Sequence, residues 1–387
     1  MNSEVLHLFP EFAEESSRRL SENGLLPSQK LEELIACGHI RASTPILSEQ
    51  IQPCSIDLRL GPVAYQVKAS FLPNARSTVA RKLADLTVRE ISLGQPALLR
   101  TNEVYIAPLK EELLLPDYLS AKANPKSTTG RLDVFTRLIT DYGTEFDVVP
   151  QGYKGGLYAE IVPRTFRLKV REGARLNQLR LARGKPLSSD AMLRRLHKEE
   201  PILYSRDDQP LEPYIKEGMW LRVDLAGADS EEIVGYKARK NAPEIEFERK
   251  NYYDPLDFWE PISRPSSGQI ILHPEDFYIL GSKDKVSIPP QYAAEMIPFD
   301  PSVGEFRIHY AGFFDPGFGY GRGDIKSTRA VLEVRSHGVP FVLEDGQIVG
   351  RLEYEQLIAH PSKLYGRDIG SSYQSQGLSL SKQFKRQ

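Results

Sequence analysis

A mainly β protein, built as two successive sandwich or barrel domains, is predicted by three features of the 387-residue sequence. Short alternating or β-branched runs such as AYQVKASFL, VYIAPL, LYAEIV and TFRLKV fill residues 41–184 between Pro and Gly turn signals. That punctuation marks many short strands rather than βαβ units. The length exceeds the roughly 100–200 residues of one domain, and the stretch IQPCSIDLRLG at 51–61, itself read as one buried strand, returns in degraded form as GMWLRVDLAG at 218–227.

In chain order, GLLPSQKLEELIACGHI at 24–40 opens with a compact helix. Ser28 is placed to cap its start, Leu31, Leu34 and Ile35 share one face, and Gly38 can end it in a left-handed turn. The strand-rich region then runs on and closes a first domain of residues 1–184. Residues 185–215, charged and Pro-rich, read as the linker. Strand-like runs resume in QIILHPEDFYILG, KVSIPPQYAAEMI, EFRIHYAGFF and RAVLEVRS, giving a second domain over 216–357. The polar end, 358–387, reads as a tail that is mobile when empty. Spacing supports the duplication, since Asp57 precedes Glu160 by 103 residues and Asp224 precedes Glu333 by 109. A similar apolar run and Gly turn follow each Glu, so the period is about 170 residues, a whole domain rather than a solenoid unit.

Composition narrows the function classes. Fifty Lys and Arg against 52 Asp and Glu leave a net charge of −2. That argues against a broad nucleic-acid surface while leaving room for a local basic pocket. No run approaches the roughly 18 apolar residues of a membrane span, and MNSEVLHLFPEF has neither the basic start nor the apolar stretch of a signal peptide, so a cytoplasmic protein with no membrane partner is expected. Cys37 and Cys54 lack C-x-x-C spacing and read as small buried hydrophobes.

The segments LLPSQKLEELIACGHI, IQPCSIDLRLG, PKSTTGR, AGFFDPGFG with AVLEVRS, and YGRDIGSSYQSQG occur in that order. Together they resemble the motifs of dCTP deaminase, in the dUTPase-like superfamily, and nearly the whole chain resembles the double-length bacterial members. The resemblance implies a dUTPase-like distorted jelly-roll β-barrel in each half, sites built between neighbouring barrels, and hydrolysis of dCTP to dUTP and ammonia. It further implies Mg²⁺ carried in on the triphosphate, no zinc, a homo-oligomer with a multiple of three chains, and dTTP as a candidate inhibitor.

Attack of water on C4 of cytosine needs a base, a donor for the tetrahedral intermediate and cations for the triphosphate. Zinc deaminases carry H-x-E and P-C-x-x-C. The P-C-x-x-C pair does not occur here, so the H-x-E matches at 197–199 and 273–275 have no cysteines to join them, and the base is expected to be a carboxylate whose pKa burial would raise. Glu333, between Leu332 and Val334, alternates to the face opposite both; Glu160, between Ala159 and Ile161, is its rival, and a solvent-facing Glu is the plainer reading of either.

By the resemblance, Ser127 assists the water and Arg131 holds the base and intermediate, with Thr128 and Lys126 beside them, Lys126 replacing a more usual Arg. The backbone of Ala311 reads the 4-amino group, Asp315 lies near the deoxyribose, and Tyr365, Tyr373 and Gln376 cover the nucleotide, while Ser372 stands where a Lys is usual. Each half lacks what the other retains. FDPSVGEF replaces the basic motif in the second half, and DYGTEFDVVPQGYKG carries an insertion between Asp147 and Gly152 in the first. A composite site is therefore expected, with Lys126, Ser127, Thr128 and Arg131 from the first barrel and Ala311, Asp315 and Glu333 from the second. Asp57 and Asp224 are equally explained as turn caps. A dUTPase, a bifunctional deaminase and dUTPase, and a nucleotide sensor without turnover are the alternatives.

Overall fold

The computed structural model describes residues 23–227, 232–297, 306–308, 312–321, 326–336, 338–366 and 377–386. Its strands curl into two almost wholly antiparallel β-structures of jelly-roll type, one per half, with few helices. In the first half one sheet holds Ile56–Leu58, Leu119–Pro125 and Asn177–Arg183, and a second holds Val63–Val67, Val104–Leu114, Val134–Thr140 and Lys154–Pro163. Ala121, Ala123, Leu179 and Leu181 of the one meet Leu113, Leu138 and Leu157 of the other in a common core. In the second half Phe277–Val286 is the hub, pairing with Met219–Asp224, Ile233–Ala238 and Thr328–Ser336. Leu221, Val223, Leu280, Leu332, Val334 and Leu352 fill that core.

A third core belongs to both halves. Leu99, Tyr105, Phe166 and Leu168 pack with Phe258, Trp259, Phe277, Ile279 and Phe384. Phe166 meets Phe258 and Trp259 edge-on, with ring centres 5.7 and 5.3 Å apart, the geometry that aromatic quadrupoles favour. Beside it Ile245–Glu246 of the second half crosses over and adds in parallel to Leu168–Val170 of the first. The two halves thus share backbone hydrogen bonds as well as apolar surface.

Several local readings are corrected. Residues 51–61 are not one strand: only Ile56–Leu58 is, and Ile51 folds back to bridge Ile56, because Pro53 has no N–H to donate to a continuous ladder. The first helix spans Ser28–Ala36 with Pro27 at its cap, and Ser28 Oγ instead lies 2.9 Å from Ser362 Oγ. Gly38 does end that turn with a φ of 73°. Cys54 is buried, but Cys37 is exposed.

The stretch 185–215 does not behave as a bare linker. Asp190–Glu199 is a helix whose Ser189 hydroxyl accepts from Met192 N, and its Leu193 and Leu196 enter the second core. The C-terminal end differs too. Gln383 Nε2 donates to Phe247 O at 2.7 Å, Ser381 Oγ donates to Thr128 O at 2.8 Å, and Phe384 is 3% exposed among Tyr253, Phe258 and Trp259. A polar composition hid this anchor, because one buried ring and a few backbone partners suffice to hold it.

No described helix is long and apolar enough to cross a membrane. Truncating the anchor, Phe384→Ala, is expected to lower unfolding stability by roughly 3–5 kcal/mol, the scale for removing a buried ring; a urea titration checks this, and an unchanged midpoint would show that the aromatic socket does not hold the C-terminus.

Candidate active site

The KSTTGR segment forms a single helical turn, Ser127–Gly130, immediately after Leu119–Pro125. Lys126 N donates to Leu176 O at 2.9 Å and Thr129 Oγ1 donates to the same carbonyl, so the turn is pinned to its own barrel. From the other side Arg131 Nη1 donates to Ser379 O at 3.1 Å and Ser381 Oγ to Thr128 O. Asp133 follows in the left-handed region with φ of 54°, and its carboxylate takes the second half's Arg335. Lys126 pairs with buried Asp57, which Arg175 also approaches at 3.8 Å. These contacts fix the turn at the seam between the halves.

Facing it is the hairpin Gly312–Phe318. Met296 N donates to Gly312 O, Gly312 N donates to Asn124 Oδ1 of the first half at 2.8 Å, and Phe318 N closes a turn on Asp315 O. Gly319 sits beyond with φ of 64°, where a Cβ would come within 2.1 Å of Val286 O, so only glycine fits.

Arg180, 1% exposed on a first-half strand, reaches across. It donates to Ala294 O at 3.0 Å and Phe314 O at 2.9 Å, pairs with Asp315 at 3.2 Å and Glu355 at 3.1 Å, and lies 4.0 Å from the centre of the Phe313 ring. Cys54 Sγ also donates to Asp315, at 3.4 Å, and burial raises that thiol's pKa well above normal, leaving it the neutral donor.

Turn and hairpin enclose a cavity of about 370 Å³, within the range of small-molecule sites. Lys126, Ser127, Thr128 and Arg131 line it from the first half, and Asp315 and Tyr365 from the second. Phe313, Phe314 and Phe318 form an aromatic wall, with Phe318 5.4 Å from Tyr365. Val331 closes the inner end. It shares a strand with Glu333 and Arg335, and period-2 alternation turns all three to the face opposite Leu332 and Val334. Val331 touches the cavity and Arg335 holds Asp133; Glu333 lies between them on that strand face, 1% exposed, and is not itself among the residues that line the cavity.

Glu160 stands opposite Ile106, as Glu333 stands opposite Ile279, and like Glu333 it is not among the residues that line the cavity; Arg137 binds its Oε1 at 2.6 and 3.1 Å. Asp224 is buried between Arg206 and Arg329 and also accepts from Gly227 N, so it caps a turn, whereas Asp57 lines the cavity. Ala311, Tyr373 and Gln376 lie outside the described residues. Among the described residues no group of three or more His, Cys, Asp or Glu is arranged to hold a metal.

Sequence reasoning did not single out Asn124, Arg175, Arg180, Lys250 or Lys382. Asn124 adjoins the KSTTGR motif and could have been found; the others sit in runs that read as ordinary polar surface.

Family models describe both halves. That for the 2'-deoxycytidine 5'-triphosphate deaminase N-terminal domain matches residues 22–185, and that for the C-terminal domain of the same enzyme matches 189–384. The crystal structure of 2'-deoxycytidine 5'-triphosphate deaminase from Agrobacterium tumefaciens is 46% identical, covers 88% of this chain and 100% of its own, and superposes with a TM-score of 0.82. A dUMP-forming dCTP deaminase of Halobacterium salinarum is 30% identical over 34% of this chain and 69% of its own length. A second dUMP-forming enzyme, from Persephonella marina, is 28% identical over 41% and 83%.

The first half's counterpart of Asp315, Asp147, is turned inward. Its Oδ1 accepts from Leu138 N at 2.7 Å, and burial pushes its pKa up to about 7 despite that bond and nearby Arg137 and Lys122. Because the folded value lies above the unfolded value of about 3.9, its protonated form favours folding at low pH, and that contribution fades as pH rises through about 7. Asp147→Asn is expected to stabilise the protein at pH 8 by about 1–3 kcal/mol, after allowance for residual exposure, with no gain near pH 4. Denaturant melts at the two pH values check this; equal gains at both would overturn it.

Proposed function

Because this chain belongs to the 2'-deoxycytidine 5'-triphosphate deaminase family, and is an enzyme that deaminates dCTP, we propose that Glu333 is the base that activates water for attack on C4 of the cytosine. The observation that carries this reading is the position of Glu333 on the strand face between Val331, at the cavity wall, and Arg335, bound to Asp133 beside the Ser127–Arg131 turn. A buried carboxylate there takes a proton from water as the oxygen bonds to C4. The same proton is then available to the departing amino group, so acid and base roles alternate on one residue. Ser127 orients the water, and Arg131 keeps the carboxylate in place and steadies charge developing on the ring. Asp315, fixed by Arg180, meets the sugar, and the backbone of Ala311 reads the 4-amino group. Glu160, already bound to Arg137 in its own barrel, takes no part.

The substrate arrives as its Mg²⁺ complex, and the product in this reading is dUTP. A second reading, deamination coupled to release of pyrophosphate, is favoured by the dUMP-forming enzymes that match part of this chain. Derivation of the two halves from one repeated barrel is supported by the matched Glu–Ile registers. Assembly in multiples of three chains and inhibition by dTTP follow from the resemblance alone.

Incubation with dCTP and Mg²⁺ followed by assays for ammonia and pyrophosphate separates the readings. Ammonia alone supports dUTP as product, both together support the bifunctional enzyme, and neither would overturn the function. Glu333→Gln is expected to lower kcat by at least about 10³-fold while leaving dCTP binding nearly intact, since the amide keeps the shape and loses the basicity. Glu160→Gln is expected to stay active, and the reverse pattern would exclude Glu333 as base.

A further inference from the structure

The cavity has a second charged end that the chemistry above does not use. Lys250, on the arm that crosses to the first barrel, and Lys382, on the C-terminal segment, both line it together with Lys126. Their backbones are interlocked: Asn251 N donates to Lys382 O at 2.8 Å, and Tyr252 N and Tyr253 N donate to Gln383 O. Lys126 already has Asp57, and Arg175 has Glu49. Among the described residues neither Lys250 nor Lys382 has an ion-pair partner. Lys382 is half-buried and Lys250 exposed, and holding two like charges at one end of a cleft is unfavourable unless an anion of several charges completes it.

We propose that Lys250 and Lys382 bind the phosphate chain of the substrate, with Lys382 delivered to the site by docking of the C-terminal segment. This rests on the reading of the cavity as the dCTP site and assigns its polyanion end. A lysine suits that role as a point charge that meets phosphate oxygens without demanding the planar geometry of a guanidinium. The groups facing Lys382 are Lys126 and Lys250, which oppose its charge, Asp57 and Glu248, which favour it, and the ring of Phe247 at 6.0 Å. Burial first, and then the two lysines, pull its pKa down to about 8. Its charge therefore wanes in the free enzyme as pH rises through that value, and a bound polyphosphate restores it with uptake of a proton.

Steady-state kinetics on the full-length protein, with inorganic triphosphate as competing probe, test the assignment. Lys382→Met is expected to raise both KM for dCTP and the inhibition constant of triphosphate by about 10- to 100-fold, with kcat within about 3-fold, the scale of one charge-assisted contact. Lys250→Met, on a separate element, is expected to give the same selective loss. Lys382→Arg is expected to retain affinity and to flatten the rise of KM between pH 7 and 9. Unchanged triphosphate inhibition in both Met variants, or a loss confined to kcat, would overturn the proposal. Calorimetric titration of triphosphate into wild type and Lys382→Met reads the lysines even if dCTP releases no ammonia; that last result would sink the functional reading instead.

Discussion

One buried guanidinium governs how the halves meet. Arg180 is 1% exposed, and its charge is met from the opposite half by two carbonyls, two carboxylates and an aromatic face. A buried charge is tolerated only when its partners are in place, because desolvation otherwise costs several kcal/mol. Displacing one barrel by even an ångström or two would strand the cation and leave Asp315 and Glu355 without it. Burial already raises the pKa of Glu355 against the opposing pull of Arg180. The ion cluster thus selects one docking geometry from the many that an apolar interface would allow, and that geometry brings the KSTTGR turn and the aromatic hairpin to opposite walls of one cavity.

Apolar contact supplies the stability and the polar cluster supplies the register. The shared core around Phe166, Phe258 and Trp259 buries rings from both halves and the terminal Phe384, each large side chain worth roughly 1.5–3 kcal/mol in area removed from water. Such packing is forgiving in direction. Arg180, Asn124 on Gly312 N, and Arg335 on Asp133 are not, since each depends on a hydrogen-bond distance. These three contacts bracket the cavity, so the rigid part of the interface is also the part nearest the proposed chemistry.

Much of this was legible in the sequence, for reasons that differ by residue. Turn punctuation and β-branched runs revealed a β protein because strand pairing depends on local pattern, and the orientation of Glu333 followed from alternation alone. Contacts between distant segments were not legible. Arg180 in NQLRLAR looks like the outward residue of an amphipathic strand, and nothing local says that a second barrel covers it. The helix Asp190–Glu199 hid behind its charges, since only Leu193 and Leu196 mark its buried face. Lys382 lies in a polar terminus whose one apolar anchor, Phe384, has meaning only beside Tyr253 and Trp259.

Under the proposed duplication, the different surroundings of matched residues would follow from covalent linkage. Separate barrels that share sites symmetrically must each present both a basic turn and an acidic strand. When two barrels share a chain, the partner is always at hand at high effective concentration, and one fixed interface suffices to join one turn to one strand. The residues at the unused positions are then free to satisfy local demands. Glu160 is neutralised by Arg137, Asp147 caps Leu138 N with its pKa raised to about 7, and Asp224 settles between Arg206 and Arg329. Each is a structural group of its own barrel, while Asp315 is held by the other half's Arg180 and lines the cavity that both halves share.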